Sequence, residues 1–193
     1  MKKLVSIMMF VLCALAISAQ EKEVTKFLGI PVDGYKAEMK KKLIEKGFTY
    51  NAQGDYLEGE FNGYDVIVYI VTNNNKVYRI MLCDVNGLDE ADIKIRFNNL
   101  VSQFENNNRY LVPENQTIPV KEDISYQMAA HDKIYQAIFY QMNRAIFTEE
   151  QAKQESEEMN KRPVWIRINK NYDKYYLLMF YDNKYNEANG EDL

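Results

Sequence analysis

The chain has 193 residues, of which 47% are hydrophobic and 27% charged, a composition that can build a packed core and is not that of a disordered tail. The formal net charge is −4, and losing Lys2 and Lys3 with the segment discussed next would take it from −4 to −6. An acidic chain argues against a nucleic-acid partner, because phosphate backbones select basic surfaces. One histidine and two cysteines leave little room for a His/Cys metal cluster or a nucleophile–base pair.

The first 19 residues have the three-part pattern of a secretory signal peptide. The two lysines are followed by the apolar run 4–17, and Ala19 offers a small residue for cleavage before Gln20. An apolar run of this length is shorter than the roughly 20 residues that a membrane-spanning helix needs. We therefore predict export to the periplasm or the cell exterior, with no transmembrane segment in the mature chain.

Mass spectrometry of the protein exported by its native host is expected to find Gln20, free or cyclised, as the first residue. The reason is that the charged, apolar and small-residue parts of 1–19 follow one another in the order that a signal peptidase recognises. An exported protein that still begins with Met1, or that carries a lipid on Cys13, would contradict this prediction.

The cysteines argue against a disulfide in the mature protein. Cys13 follows Leu12 rather than the small residue that a lipidation site requires, so we expect it to leave with the signal peptide. Cys83 then remains alone, and no intrachain bridge can form although the compartment is oxidising. Cys83 follows the apolar run 80–82 and is interpreted as a small buried hydrophobe. A reactive or intermolecular thiol is the alternative.

Residues 27–86 predict a helix followed by three strands. Asp33 is expected to cap the helix and Gly47 to end it. Its apolar positions are Tyr35, Met39, Leu43 and Ile44. The strands are expected at 56–61, 64–71 and 77–83. Asn62-Gly63 suits a two-residue type I′ turn between the first two strands, and the apolar run 66–71 is typical of a strand covered on both faces.

Residues 87–185 predict a second helix and four more strands. Asp89 is expected to cap this helix. Its apolar stripe consists of Ile93, Phe97, Leu100, Val101 and Phe104. The strands are expected at 124–129, 134–142, 164–169 and 175–182, with His131 in the turn between the first two. The polar segment 148–161 has little to bury and predicts an exposed or mobile helix.

Together these elements predict an α+β fold, a curved antiparallel sheet with two helices packed on one face. The repeated order of helix and strands suggests a tandem α-βββ repeat with halves 27–86 and 87–185. Both halves belong to a single α+β domain, 20–193, which carries 148–161 as a polar helical insertion.

Three motifs span most of the mature chain. They are FLGIPVDG at 27–34, LEGEFNGY at 57–64, and WIRI at 165–168 with YYLLMFYD at 175–182. In these motifs the chain resembles a group of small secreted proteins of gut-type Gram-negative bacteria with no established activity. The tandem layout is similar, more loosely, to the β-lactamase-inhibitor-protein fold. The resemblance carries no catalytic residue to transfer, and a shared fold says little about function.

Paired carboxylates are the main candidates for chemistry. Glu58 and Glu60 share one face of a predicted strand, and two carboxylates about 5–9 Å apart can hydrolyse a glycoside. A solvent-facing strand explains the same pair. A second acidic group in the sequence consists of Asp84, Asp89, Glu90 and Asp92. We call it the acidic cluster, and it lacks the regular spacing of a calcium-binding loop. No Gly-rich phosphate loop is present, so we predict neither a metal nor a cofactor.

The aromatic residues near the C-terminus are the one positive signal for binding. Tyr175 and Tyr181 point to the same face of a predicted strand, close to Trp165. Exposed aromatic clusters suit recognition of protein or carbohydrate, whereas cross-strand packing of the rings is the alternative. We take Trp165, Tyr175 and Tyr181 as candidate ligand-binding residues. The hypothesis is a secreted or periplasmic, non-enzymatic binding module, with a carboxylate-dependent carbohydrate hydrolase as the alternative.

Overall fold

The computed structural model of the protein describes residues 22–142 and 148–188. The predicted signal peptide, 1–19, lies outside these residues, so its removal stays a prediction.

The described residues form an α+β fold around an eight-stranded antiparallel sheet. Its strands are β3 (Thr49–Asn51), β4 (Tyr56–Phe61), β5 (Tyr64–Asn73), β6 (Lys76–Asp84), β7 (Tyr110–Leu111), β8 (Gln136–Gln141), β9 (Pro163–Asn171) and β10 (Lys174–Asp182). The spatial order is β3-β4-β5-β6-β10-β9-β8-β7, so β6 and β10 pair at the centre although they are far apart in sequence. A separate hairpin consists of β1 (Lys26–Phe27) and β2 (Ile30–Pro31).

Four helices accompany the sheet in the described part of the chain. They are α1 (Lys36–Glu45), α2 (Glu90–Glu105), α3 (Ile124–His131) and α4 (Glu149–Met159). Within residues 22–142 and 148–188, none has the length and apolar character that a membrane crossing requires.

The core lies against one face of the sheet. Along β5, Val66, Val68 and Ile70 are buried, and the residues between them are half-exposed. The same alternation runs through β9 and β8, as expected when successive side chains point to opposite faces. The buried strand residues form one cluster with Met39 of α1 and Phe97 of α2. We call the opposite, half-exposed side of the sheet the outer face.

Elements predicted from local pattern are confirmed. The Asp89 side chain accepts a hydrogen bond of 2.9 Å from the backbone N–H of Asp92 and caps α2, whose predicted apolar stripe is buried throughout. Asn62 and Gly63 have φ of 54° and 77°, as the type I′ turn between β4 and β5 requires. Gly47, with φ of 101°, follows α1 as predicted.

The predicted cap of the first helix is wrong. α1 begins at Lys36 behind Tyr35, which makes no side-chain capping bond. Asp33 instead accepts hydrogen bonds from the backbone of Gly34 at 2.6 Å and from the side chain of Asn186 at 2.7 Å. Its carboxylate therefore ties the C-terminal segment to the start of α1.

The strand predicted at 124–129 is also wrong, because this segment forms α3. The side chain of Asp123 accepts a hydrogen bond of 2.8 Å from the backbone N–H of Tyr126, which caps a helix at that point. Gln, Met and Ala in the segment are good helix formers and outweigh its alternating apolar pattern. His131 consequently ends α3 instead of sitting in a hairpin turn, and Asp132 after it has φ of 51°.

The helix predicted within 148–161 is confirmed, and most of the described side chains in this segment are exposed, as expected, but Glu155 is not. Glu155 is only 1% exposed and pairs with Arg162, which is fully buried. Arg162 also donates a hydrogen bond of 2.8 Å from Nε to the carbonyl oxygen of Gln141. The buried ion pair between Glu155 and Arg162 therefore connects α4 to the sheet. Hydrophobicity patterns do not reveal such a pair.

Candidate functional site

A row of apolar side chains crosses the outer face from β4 to β8. In order along the row its members are Tyr56, Tyr69, Met81, Phe180, Trp165 and Ile138, and we call this set the aromatic row. From Tyr69 onwards each side chain stands directly opposite the next on the neighbouring strand, and the rings of Tyr56 and Tyr69 meet edge to face at 5.8 Å. At about 4.8 Å between strands, the row is roughly 24 Å long.

The outer face is more open than the sequence predicts. The apolar run 66–71 was expected to be covered on both faces, yet Ile67, Tyr69 and Val71 are half-exposed in the described structure. Most of the aromatic row is half-exposed as well, and Phe180 is buried beneath its neighbours. Apolar side chains of this kind are costly to leave in water, and a contiguous patch of them is typical of interaction surfaces.

A polar network borders the aromatic row beside Trp165. Arg79 donates two hydrogen bonds to the buried carboxylate of Asp182, at 2.6 and 2.8 Å. The indole N–H of Trp165 donates to the same carboxylate at 3.0 Å. The hydrogen bonds to Asp182 raise the pKa of Arg79, so its guanidinium stays charged, and the geometry of the network fixes the orientation of the indole.

A cavity of about 350 Å³ opens at this end of the row. It is lined by Arg79, Gln116, Gln136, Ala137, Ile138, Pro163, Trp165, Asp182 and Lys184. Phe180 stacks on one face of the indole, with ring centroids 3.7 Å apart and planes inclined by 11°. Trp165 itself lines the cavity, next to Ile138 on the neighbouring strand β8.

The side chain of Gln116 closes the exposed edge of β8 next to the cavity. Its Oε1 accepts a hydrogen bond of 2.6 Å from the backbone N–H of Ile138, and its Nε2 donates one of 2.9 Å to the Ile138 carbonyl oxygen. One amide group thus takes both backbone positions that a neighbouring strand would use.

Of the three predicted binding residues, the structure places only Trp165 on the outer face. Tyr175 and Tyr181 do share a face, as predicted, but it is the core face, where they are 3% and 5% exposed. The Tyr181 ring packs against Phe27 at 4.9 Å, and burial raises the pKa of its hydroxyl. The expected groove lined by these two tyrosines is therefore wrong, although Tyr181 borders a separate cavity of about 770 Å³ near Tyr110.

The candidate carboxylates do not converge on one cavity in the described structure. Glu58 and Glu60 are both exposed on β4. Glu60 borders a cavity of about 430 Å³ that Glu58 does not line. In the acidic cluster, Asp84 is buried against Arg96, and Asp89 caps α2.

A group of three carboxylates that the sequence did not predict lies around the buried Arg162, and one of them, Glu155, is itself buried. Oxygens of Glu23, Glu155 and Glu158 lie within 4.8 Å of one another. The guanidinium of Arg162 already stands among them, with Nη1 at 4.0 Å from Glu23 and 3.7 Å from Glu158. The chain itself therefore places one positive charge among the three carboxylates.

Cys83 lies on the outer face beside the aromatic row, opposite Ile67 on β5 and Leu178 on β10. It is half-buried, and burial raises the pKa of its thiol, which disfavours the nucleophilic thiolate. Cys83 therefore contributes apolar surface to the outer face.

Comparison with models of protein families, with curated proteins and with solved structures gave no match. The signals for the outer face were the apolar run 66–71 and the aromatic run near the C-terminus. What the sequence did not reveal was that β6 pairs with β10 and joins the two runs into one surface.

Proposed function

We propose that the protein is a non-enzymatic binding module, exported to the periplasm or the cell exterior, that holds its ligand on the outer face of the sheet. The observation that carries the proposal is the aromatic row, which spans six neighbouring strands. Aromatic and Met side chains are enriched where proteins bind partners, because they offer large contact areas at low entropic cost.

The arrangement of the helices supports the proposal. Met39 of α1 and Phe97 of α2 belong to the same core cluster as the buried residues of β5, β6, β9 and β10. We propose on this basis that both helices pack on one face of the sheet. The almost continuous apolar run in β5 is typical of a strand that is buried on both faces. A ligand bound to the outer face would bury the second of these faces.

The sheet order also supports a tandem architecture. The strands β3 to β6 and β7 to β10 are each consecutive in the sheet, and their last members pair at the centre. Each run follows one of the helices α1 and α2. We propose that the chain is built from two such halves, in keeping with its loose resemblance to the β-lactamase-inhibitor-protein fold.

The alternative, a carboxylate-dependent carbohydrate hydrolase, has less support. Such an enzyme needs an acid and a second carboxylate on either side of one scissile bond. Glu58 and Glu60 are exposed and do not line a common cavity.

The test is to place charge on the aromatic row. Wild-type protein is screened against immobilised polysaccharides and extracellular proteins. Met81→Lys is then expected to weaken the binding found at least 30-fold, because about 2 kcal/mol of apolar contact is lost and an ammonium must be desolvated. Ile95→Lys is the matched control, since Ile95 is 57% exposed on α2, away from the row.

Thermal unfolding of both variants verifies that they fold. Equal weakening by Met81→Lys and Ile95→Lys would contradict the proposal. So would a measured hydrolytic turnover that the double variant Glu58→Gln, Glu60→Gln abolishes while binding persists.

A further inference from the structure

We infer that the cavity beside Trp165 is a site for a neutral carbohydrate, with one pyranose ring stacked on the indole. This inference rests on the proposed binding function and names the class of ligand for one end of the aromatic row. Its grounds are the part of the indole that lines the cavity, the ion pairs of the charged lining residues and the mixture of donors and acceptors that surrounds the cavity.

The indole offers a flat apolar platform. Phe180 stacks on one face of the ring, and the hydrogen bond to Asp182 holds the ring in place, so the part of the indole that lines the cavity is preorganised. A pyranose ring carries a face of C–H groups that packs on such a surface. A volume of about 350 Å³ lies in the usual range for small-molecule sites, roughly 300–1,000 Å³.

The charged side chains that line the cavity all take part in ion pairs. Arg79 is paired with Asp182 at 2.6 Å, and Lys184 with Glu187 at 2.6 Å. Lys184 also lies 4.0 Å from Asp182. An anionic or cationic ligand would have to break one of these pairs to gain a partner of its own. A neutral ligand pays no such cost, so the electrostatics favour an uncharged sugar.

The polar groups of the lining suit hydroxyl groups. The side-chain amides of Gln116 and Gln136 each carry donors and an acceptor, while Lys184 supplies further donors. A hydroxyl donates one hydrogen bond and accepts others, so it can match either kind of neighbour. Gln136 is exposed and free of the structural role that Gln116 has at the edge of β8.

The closed edge of β8 favours a compact sugar over an extended peptide. A peptide that adds to a sheet gains its affinity from backbone hydrogen bonds along the edge strand. At Ile138 both backbone groups are already bonded to Gln116, so an added strand would first have to displace that amide. A sugar in the cavity leaves the two bonds intact.

Trp165 makes the experiment direct, because the sequence contains a single tryptophan. Three sets of probes are titrated into the full mature chain: neutral gluco-, xylo- and manno-oligosaccharides, their uronate-containing counterparts, and extended peptides. We expect at least one neutral oligosaccharide, and no uronate or peptide of similar size, to change the tryptophan emission saturably in the millimolar range or below.

Calorimetry of the variants Gln136→Ala and Gln53→Ala tests whether the sugar binds in the cavity, by comparing their affinities for it. Both glutamines are exposed, and Gln53 lies in the turn between β3 and β4 at the far edge of the sheet. Gln136→Ala is expected to weaken sugar binding about tenfold, and Gln53→Ala to leave it unchanged. Trp165→Ala is expected to abolish binding. If Trp165→Ala does not fold, the comparison of Gln136→Ala with Gln53→Ala still tests the inference.

Each other outcome overturns the inference. If a uronate binds best, the ligand of the cavity is charged. If a peptide binds best, the ligand is a protein partner. Equal effects of Gln136→Ala and Gln53→Ala would place the sugar elsewhere. A further outcome is that no neutral sugar changes the emission of Trp165, while Met81→Lys abolishes binding to another polysaccharide or protein of the screen. The inference about the cavity then fails, and the proposed binding function stands.

Discussion

Replacing Arg96 with methionine is expected to lower the free energy of unfolding by about 3–5 kcal/mol. Arg96 is 4% exposed on α2 and donates two hydrogen bonds of 2.6 Å to the carboxylate of Asp84, which is also buried. Methionine fills similar space but leaves this carboxylate without its charged partner inside the protein. The Tyr64 ring, 3.2 Å from the guanidinium, loses its cation as well. Urea titration at pH 7 measures the loss.

The loss is expected to depend on pH. Burial raises the pKa of Asp84 in the folded protein, and the Arg96 guanidinium opposes this rise. Without the guanidinium the folded-state pKa rises further above the unfolded value, so the variant loses stability with increasing pH over a wider range. The difference between wild type and variant is therefore larger at pH 8 than at pH 5.

The control for Arg96→Met is the double variant Asp84→Leu, Arg96→Met. Removing both charges leaves no unpaired charge, so most of the stability is expected to return and the pH dependence of the difference to disappear. A single variant Arg96→Met within 1 kcal/mol of wild type would mean that water reaches Asp84.

Local pattern was enough to predict α2 and the turn between β4 and β5. The cap at Asp89 and the apolar period of the helix involve residues a few positions apart, and so does the Asn62-Gly63 turn. α3 was missed because its apolar residues alternate like those of a strand, whereas its backbone is set by the cap at Asp123. Where two local signals disagree, periodicity alone does not decide.

The candidate site depended on long-range pairing. Alternation predicted that Tyr175 and Tyr181 share a face, but it did not say which face the core covers. That choice is made by segments far away in sequence, such as β1, whose Phe27 packs on Tyr181. The pairing of Met81 with Phe180 is equally remote in sequence, so the aromatic row could not be predicted from either half alone.

The burial of charged residues was also misjudged from the sequence. Glu155 and Arg162 belong to a strongly polar stretch that looks solvated, yet both are buried together. A buried ion pair leaves no trace in hydrophobic periodicity, because its stability comes from geometry and not from apolar area. The same holds for Asp84, which the sequence places in an acidic cluster and the fold places opposite Arg96.

Replacing Phe97 with alanine is expected to cost about 3–5 kcal/mol of unfolding free energy. Phe97 lies in the middle of the apolar stripe of α2 and is buried in the cluster that joins the helices to the sheet. The loss combines the transfer free energy of the ring with the cavity it leaves behind.

The matched control for Phe97→Ala is Ile95→Ala on the same helix. Ile95 points to solvent, and alanine is the better helix former, so the change is expected to stay within about 0.5 kcal/mol. Denaturant titration with near-UV circular dichroism compares the two variants and reports on the aromatic core. Equal losses would mean that the cost comes from α2 itself, whereas a loss confined to Phe97→Ala places it in the contact between α2 and the sheet.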